Sequence, residues 1–166
     1  MVPWILRCLH VLALSLYPTT PEPPLDETAR AIDVAAHQVP LDGDDGVVEM
    51  ARELAVLAAT EGHLRPDAVA RDRFGESYGL FQLHETTLRW LRRPKEDAFD
   101  PVTAALIAAV LIRKSHAVCA KAGKGAELGW YASGGPTCSV PEGLAASARR
   151  MRLAASLPSP VWVSPR

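Results

Sequence analysis

Glu61 and the stretch GESYGLFQLH at residues 75–84 carry the side chains in this sequence that could do chemistry. Apolar residues step through Val47, Ala51, Leu54 and Ala58 at alternating intervals of four and three, the spacing of one helix face, and the next step is Glu61. A carboxyl group held against apolar neighbours loses hydration, so its pKa rises and it stays protonated near neutral pH. Such a group at a helix end is a candidate general acid. The alternative is a glutamate in a fraying last turn that faces solvent, and the stripe alone does not separate the two. In the second stretch, Ser77, Tyr78 and Gln82 offer hydroxyls and an amide. These neutral groups suit sugar hydroxyls and N-acetyl groups, whereas a phosphate ligand would call for Arg or Lys. Gly75 and Gly79 permit sharp turns and close approach of a ligand. Glu76 is a candidate second carboxylate, with Asp67 and Asp72 in the same loop, and ordinary surface charge is the competing reading for all three.

The elements that would position these residues are helical. Asp44 or Asp45 can cap a helix that starts near Gly46, and Gly62 can end it. Glu49, Arg52 and Glu53 fall on its polar side, together with Val56. Asp100 and Pro101 open a second helix that runs to Lys121 and Gly123. From Val102 to Ile112 only Thr103 is polar, so this helix is expected in the middle of a bundle. Ser139-Val-Pro-Glu142 has the pattern of a capping box, and the helix after it runs to about Ala155. Arg149, Arg150 and Arg152 near its end suit the helix dipole and read as a solvated face. Shorter helices are expected over 25–37, 84–91 and 126–133, with a small hairpin within 66–80.

The 166 residues are 48% hydrophobic and carry a net charge of −1, which fits one globular domain with ragged ends and gives no polyanion-binding signal. No nucleic-acid partner is expected. No apolar run approaches the roughly 18 residues of a membrane span, so no stable membrane insertion is expected either. Arg7 and the apolar run Val11–Tyr17 resemble an interrupted secretory signal without a clear cleavage motif. The expected organisation is a signal segment and proline-rich linker over 1–27, a folded domain over 28–156 and an extended tail over 157–166. A removed signal would take Cys8 with it, leaving Cys119 and Cys138 either to pair or to remain as buried thiols. His63, His84 and His116, with Glu61 and Glu85, lack the HxxxH or HExxH spacing of a metal site, and no metal or cofactor is expected.

Glutamate, then a Ser-x-Gly-Leu-x-Gln segment at 77–82, then Tyr131 in WYASGGP at 130–136, in that order, resembles the lysozyme-like lytic transglycosylase family with its SLT-type domain. GLFQL at 79–83 is similar to that family's Gly-Leu-Met-Gln motif, and WYASGGP to its Tyr-Asn-Ala-Gly segment. Gly62 departs from the serine usual after the glutamate, and Ala132-Ser133 from Asn-Ala. The resemblance implies a mainly α, lysozyme-like helical domain with a glycan-binding cleft. It implies cleavage of the β-1,4 bond between N-acetylmuramic acid and N-acetylglucosamine in peptidoglycan. A monomer is expected, exported to the periplasm or beyond if the N-terminal signal is real and otherwise acting on the cell wall by another release route. Glu61 would protonate the glycosidic oxygen and then, as base, activate the sugar's own C6 hydroxyl to leave a 1,6-anhydro product. Ser77, Tyr78, Gln82 and Tyr131 would line the cleft. In a lysozyme water takes the place of the C6 hydroxyl, and a base such as Glu76 would favour that outcome. A peptidoglycan-binding module that does not cut, and a helical bundle with an interaction role, are the competing readings.

Overall fold

A computed structural model of the chain describes residues 1–19, 25–123, 125–133, 138 and 140–160. The elements are α1 (Val2–Leu16), α2 (Leu25–Gln38), α3 (Gly46–Thr60), β1 (Val69–Asp72), β2 (Gly75–Tyr78), β3 (Leu83–His84), α4 (Glu85–Trp90), a 3₁₀ turn (Lys95–Ala98), α5 (Pro101–Cys119), α6 (Gly129–Ser133) and α7 (Pro141–Ser156). The fold is mainly helical, with one small antiparallel sheet in the order β1-β2-β3.

The helix that ends at Glu61 is the central one. α3 packs against α1, α2, α5 and α7, and only Val47, Glu49, Arg52 and Thr60 along it escape full burial. Ala51, Ala55, Ala58 and Ala59 present little bulk, so neighbouring helices come close on every side. The sequence pointed instead to α5 for this place. α5 starts as expected, with the Asp100 carboxylate accepting the Thr103 N–H at 2.7 Å. It leaves Val102, Val110 and Val118 exposed, however, and packs most heavily on α2. At 19 residues it is also long and apolar enough to span a membrane by length and composition, contrary to the run-length reading, and half of it is buried within the fold.

Residues 2–16 form a packed helix whose Ile5, Cys8, Leu9 and Leu12 are buried in the core. The Trp4 indole donates to the Pro158 carbonyl at 2.8 Å, and the Tyr17 hydroxyl to the Ala59 carbonyl at 2.6 Å. Leu157 is buried as well, so the start of the expected tail is part of the core. Part of the proline-rich linker (residues 20–24), the expected cap Ser139 and the tail from residue 161 lie outside the described residues. Val140 precedes α7 and makes no side-chain cap.

Cys119 and Cys138 are joined as a disulfide. The bond ties the end of α5 to the segment that follows α6, closing a loop that contains Tyr131.

Glu53, read as solvated from the sequence, is 3% exposed. His116 Nε2 lies 2.8 Å and 3.0 Å from its two oxygens. Burial pushes the Glu53 carboxyl up. Burial also opposes the charge on His116, but Glu53 outweighs it and the imidazole titrates above its ordinary value. A histidine so raised contributes stability that is complete below its unfolded pKa and is lost as pH rises through the folded one. His116→Ala strands the Glu53 carboxyl and is expected to cost on the order of 3 kcal/mol. Thermal melts from pH 5 to 9 should show the wild type losing stability across the high end of this range, and the variant lacking that loss.

Candidate active site

Three segments far apart in sequence meet at the C-terminal end of α3. Glu61 is the residue that ends the helix, its N–H still bonded to the Leu57 carbonyl at 2.8 Å. Gly62 then lies against the backbone of the 79–83 segment, where an added Cβ would sit 2.4 Å from the Leu80 carbonyl oxygen. The Tyr131 hydroxyl, brought in on α6, donates to the Phe81 carbonyl at 3.0 Å. Glu61 and Arg150 both act electrostatically on that phenol. The glutamate, the GLFQ segment and the late tyrosine therefore form one cluster.

The local backbone is tightly constrained. His63 and Leu64 both have positive φ, at 53° and 60°, and turn the chain sharply after Gly62. Gln82 has φ 46°. For residues with side chains this conformation costs on the order of 1 kcal/mol each, so surrounding packing must hold it. Leu64, fully buried, supplies part of that packing. Gly79 has φ 71°, and a Cβ there would fall 1.8 Å from the Ala98 carbonyl oxygen. Its missing side chain thus serves chain packing, where the sequence suggested ligand approach.

α6 has only five residues, so its first N–H groups lack partners within the helix. Two fully buried serines help to secure this segment. Ser147 Oγ accepts the Leu128 N–H at 2.9 Å and Ser115 Oγ accepts the Tyr131 N–H at 3.2 Å. With the disulfide, these bonds fix the position of Tyr131.

Glu61 is largely buried, and its carboxylate is paired with the Arg150 guanidinium from α7. The two side chains are 22% and 11% exposed. Burial lifts the Glu61 carboxyl above the ordinary carboxylate value, while Arg150, then Arg149 and His63, pull it down part of the way. Burial pushes the Tyr131 phenol far above the usual tyrosine range, and the Glu61 charge adds to this. Tyr17 stacks on His63 with ring centroids 5.1 Å apart.

Two cavities adjoin this cluster. One, of about 270 Å³, is lined by Gln82, His84, Trp90, Trp130 and Tyr131 among others. Its aromatic rings and neutral polar groups suit a sugar. Lys114 Nζ lies 4.3 Å and 5.2 Å from the ring centroids of Trp90 and Trp130. His84 Nδ1 accepts the Thr86 N–H at 3.3 Å, which puts the ring proton on Nε2. The other cavity, of about 620 Å³, is lined by Tyr17, Thr60 and the α7 arginines among others.

The expected site residues separate. Gln82 and Tyr131 line the first cavity. Ser77 pairs with His84 across β2 and β3, which puts both on one face of the sheet beside that cavity. Tyr78 does not line the cavity. It is 6% exposed, packs edge-on against Phe99 with centroids 5.6 Å apart, and donates to Glu76 at 2.8 Å. Glu76 also pairs with Arg71 at 2.5 Å, and the Tyr78 hydroxyl and Arg71 hold its carboxyl below the usual range. Asp67 pairs with Arg65, and Asp72 closes the β1–β2 turn by accepting the Phe74 and Gly75 N–H groups. Among the described residues no group of His, Cys, Asp and Glu is placed to hold a metal ion. Sequence reasoning missed Arg150 and Tyr17, and the only signal for Arg150 was an arginine cluster that the helix dipole already explained.

A family model for the transglycosylase SLT domain matches residues 48–135, more than half of the chain. The chain belongs to this family. Its domain accordingly has the SLT lysozyme-like fold, of lytic transglycosylase type in general and with peptidoglycan as the family's substrate. No curated protein and no solved structure gave a significant match. The matched segment runs from α3 through the sheet, α4 and α5 to α6, so it contains Glu61, Gln82 and Tyr131. α1, α2 and α7 lie outside it, and with α7 the arginine that contacts Glu61.

Gly62→Ala is expected to destabilise the SLT domain by about 1–3 kcal/mol, because backbone rather than a yielding side chain fills the space. Denaturant unfolding of the variant against wild type reads this directly. Arg150→Gln removes the strongest influence that lowers the Glu61 pKa. A carboxyl-carbon NMR titration should then place Glu61 at higher pH than in wild type, and an unmoved or lowered midpoint would break the assignment of the pair.

Proposed function

We propose that this protein is a lytic transglycosylase that cleaves the β-1,4 bond between N-acetylmuramic acid and N-acetylglucosamine in peptidoglycan, with Glu61 as both acid and base. The observation that carries the proposal is the buried carboxyl of Glu61 at the junction of the family's glutamate, GLFQ and tyrosine segments. A group that first gives and then takes a proton works best when both protonation states are accessible at working pH. Burial pushing up against Arg150 pulling down supports that balance. Glu61 in its acid form protonates the leaving glycosidic oxygen as positive charge develops on the muramic acid ring. The resulting carboxylate withdraws the C6 hydroxyl proton, and that oxygen closes on C1 to give the 1,6-anhydro sugar.

The aromatic cavity holds the glycan, with Gln82 and the Trp90 and Trp130 rings along its wall. Tyr131 supports both Phe81 and the surroundings of Glu61. The alternative outcome, hydrolysis, requires a second carboxylate to activate water. Glu76, Asp67 and Asp72 are each engaged with an arginine or a turn of their own, which favours the transglycosylase outcome. The Arg150–Glu61 pair favours one other reading, a glycan-binding domain whose glutamate is committed to an ion pair. We also place the protein outside the reducing cytoplasm, where its substrate lies. The Cys119–Cys138 disulfide supports this.

Purified sacculi digested with wild type should yield anhydro-muropeptides by mass, and Glu61→Gln should lower the rate by a hundredfold or more, roughly the contribution of a general acid. Reducing-end products would establish hydrolysis instead. Sedimentation with sacculi but no soluble product would establish binding without cleavage.

A further inference from the structure

Lys114 on α5 reaches both tryptophans of the aromatic cavity. Its Nζ lies over the Trp90 ring at 4.3 Å from the centroid and over the Trp130 ring at 5.2 Å. At such distances an ammonium is drawn to the electron-rich face of an indole. Lys114 makes no hydrogen bond or ion pair among the described residues, so the two rings are its partners. Asp42 and Glu49 line the same neighbouring cavity as Lys114, and it pairs with neither. Lys114 is not a wall of the aromatic cavity, whereas Leu111, one turn earlier on the same face of α5, is. The ammonium therefore meets the rings from outside the space that a sugar would fill.

The two tryptophans stand on different parts of the fold. Trp90 ends the six-residue α4, which packs on β2 and β3, and its side chain is 59% exposed. Trp130 lies on the five-residue α6, which packs on α5 and α7. An exposed indole on a short helix has several rotamers open to it. A sugar ring stacks its C–H face on an indole only when the indole lies flat against it, so freezing a mobile ring costs affinity. A single cation that contacts both rings removes much of this freedom before the ligand arrives.

We propose that Lys114 is a positioning residue for glycan binding, whose ammonium pins the Trp90 and Trp130 rings across the cavity and so sets the width of the slot that takes a sugar ring. The proposal rests on the sugar-binding reading of that cavity given above. Lys114 touches no sugar in this arrangement and acts only through the two rings.

The test compares the full wild-type chain with Lys114→Met, which keeps the length of the side chain and removes its charge, and with Lys114→Arg, which keeps the cation. Thermal melting checks that each variant is folded. The probe for calorimetric titration is chitohexaose, a neutral β-1,4-linked hexamer of N-acetylglucosamine. Lys114→Met should bind it about fivefold more weakly than wild type, the order expected from losing two exposed cation–π contacts, and Lys114→Arg should regain most of the loss. The indole N–H signals of Trp90 and Trp130, assigned by NMR from Trp90→Phe and Trp130→Phe, should shift in Lys114→Met without ligand and return towards wild type in Lys114→Arg. Equal affinities in wild type and Lys114→Met, an arginine variant as weak as the methionine one, indole signals that do not move, or no binding of chitohexaose by wild type would each overturn the assignment. The titration needs no bond cleavage. Lysine-dependent binding by a chain that leaves sacculi intact would refute the cleavage reading and keep this role for Lys114. Anhydro products from a chain whose affinity is indifferent to Lys114 would do the reverse.

Discussion

The close contact between Gly62 and the Leu80 backbone is the constraint on which the rest of the site depends, since an added Cβ would stand 2.4 Å from a carbonyl oxygen. That contact lays the 79–83 segment directly on the end of α3. Through it, the residue after Glu61 touches the segment that carries Gln82. The serine usual at this place in the family could not be accommodated without moving the segment away. Arg150 is the group in contact with the Glu61 carboxylate. The departure from the family pattern and the arginine from outside the matched segment are thus two sides of one arrangement.

Arg150 also changes what burial means at Glu61. An isolated buried carboxyl would be simply protonated; beside a guanidinium the charged form regains part of what desolvation removes. The direction that survives is upward, so burial wins, but against opposition. The same contest occurs at Glu53, where His116 offsets part of the burial of the carboxylate. The two glutamates lie eight residues apart on or at the end of one central helix. The difference lies in their surroundings. Glu53 and His116 are locked together on α3 and α5, whereas Glu61 sits between a tyrosine facing the aromatic cavity and an arginine facing the charged one.

Much of this was legible in the sequence. The Val47-to-Glu61 stripe pointed to a buried glutamate at the end of α3, Asp100-Pro101 located the start of α5, and the order of three short motifs located the family. Cap residues and periodicity report on local structure, and they succeeded where local structure decided the outcome. They failed where packing decided it. α3 is richer in alanine than an amphipathic surface helix needs to be, and those small residues admit neighbours all round. The same surroundings bury Glu53, which periodicity assigned to solvent. Tyr78 looked like a cleft residue by composition, but strand alternation turns it towards Phe99, while Ser77 beside it stands opposite His84.

The N-terminal helix extends this lesson from single residues to the whole domain. An apolar run near a chain start has the composition of a targeting segment and of a core helix alike, because both must be apolar. Here the Trp4 indole meets the Pro158 carbonyl, the Tyr17 hydroxyl meets Ala59 one residue before α3 ends, and Leu9 and Leu12 are fully enclosed. Tyr17 then stacks on His63, the first of the two left-handed residues that turn the chain after Glu61. α1 therefore does more than cover the core. It braces the turn beside Glu61 and supplies one wall of the arginine cavity. A region outside the family's own segment in this way helps to set the geometry of the site at its centre.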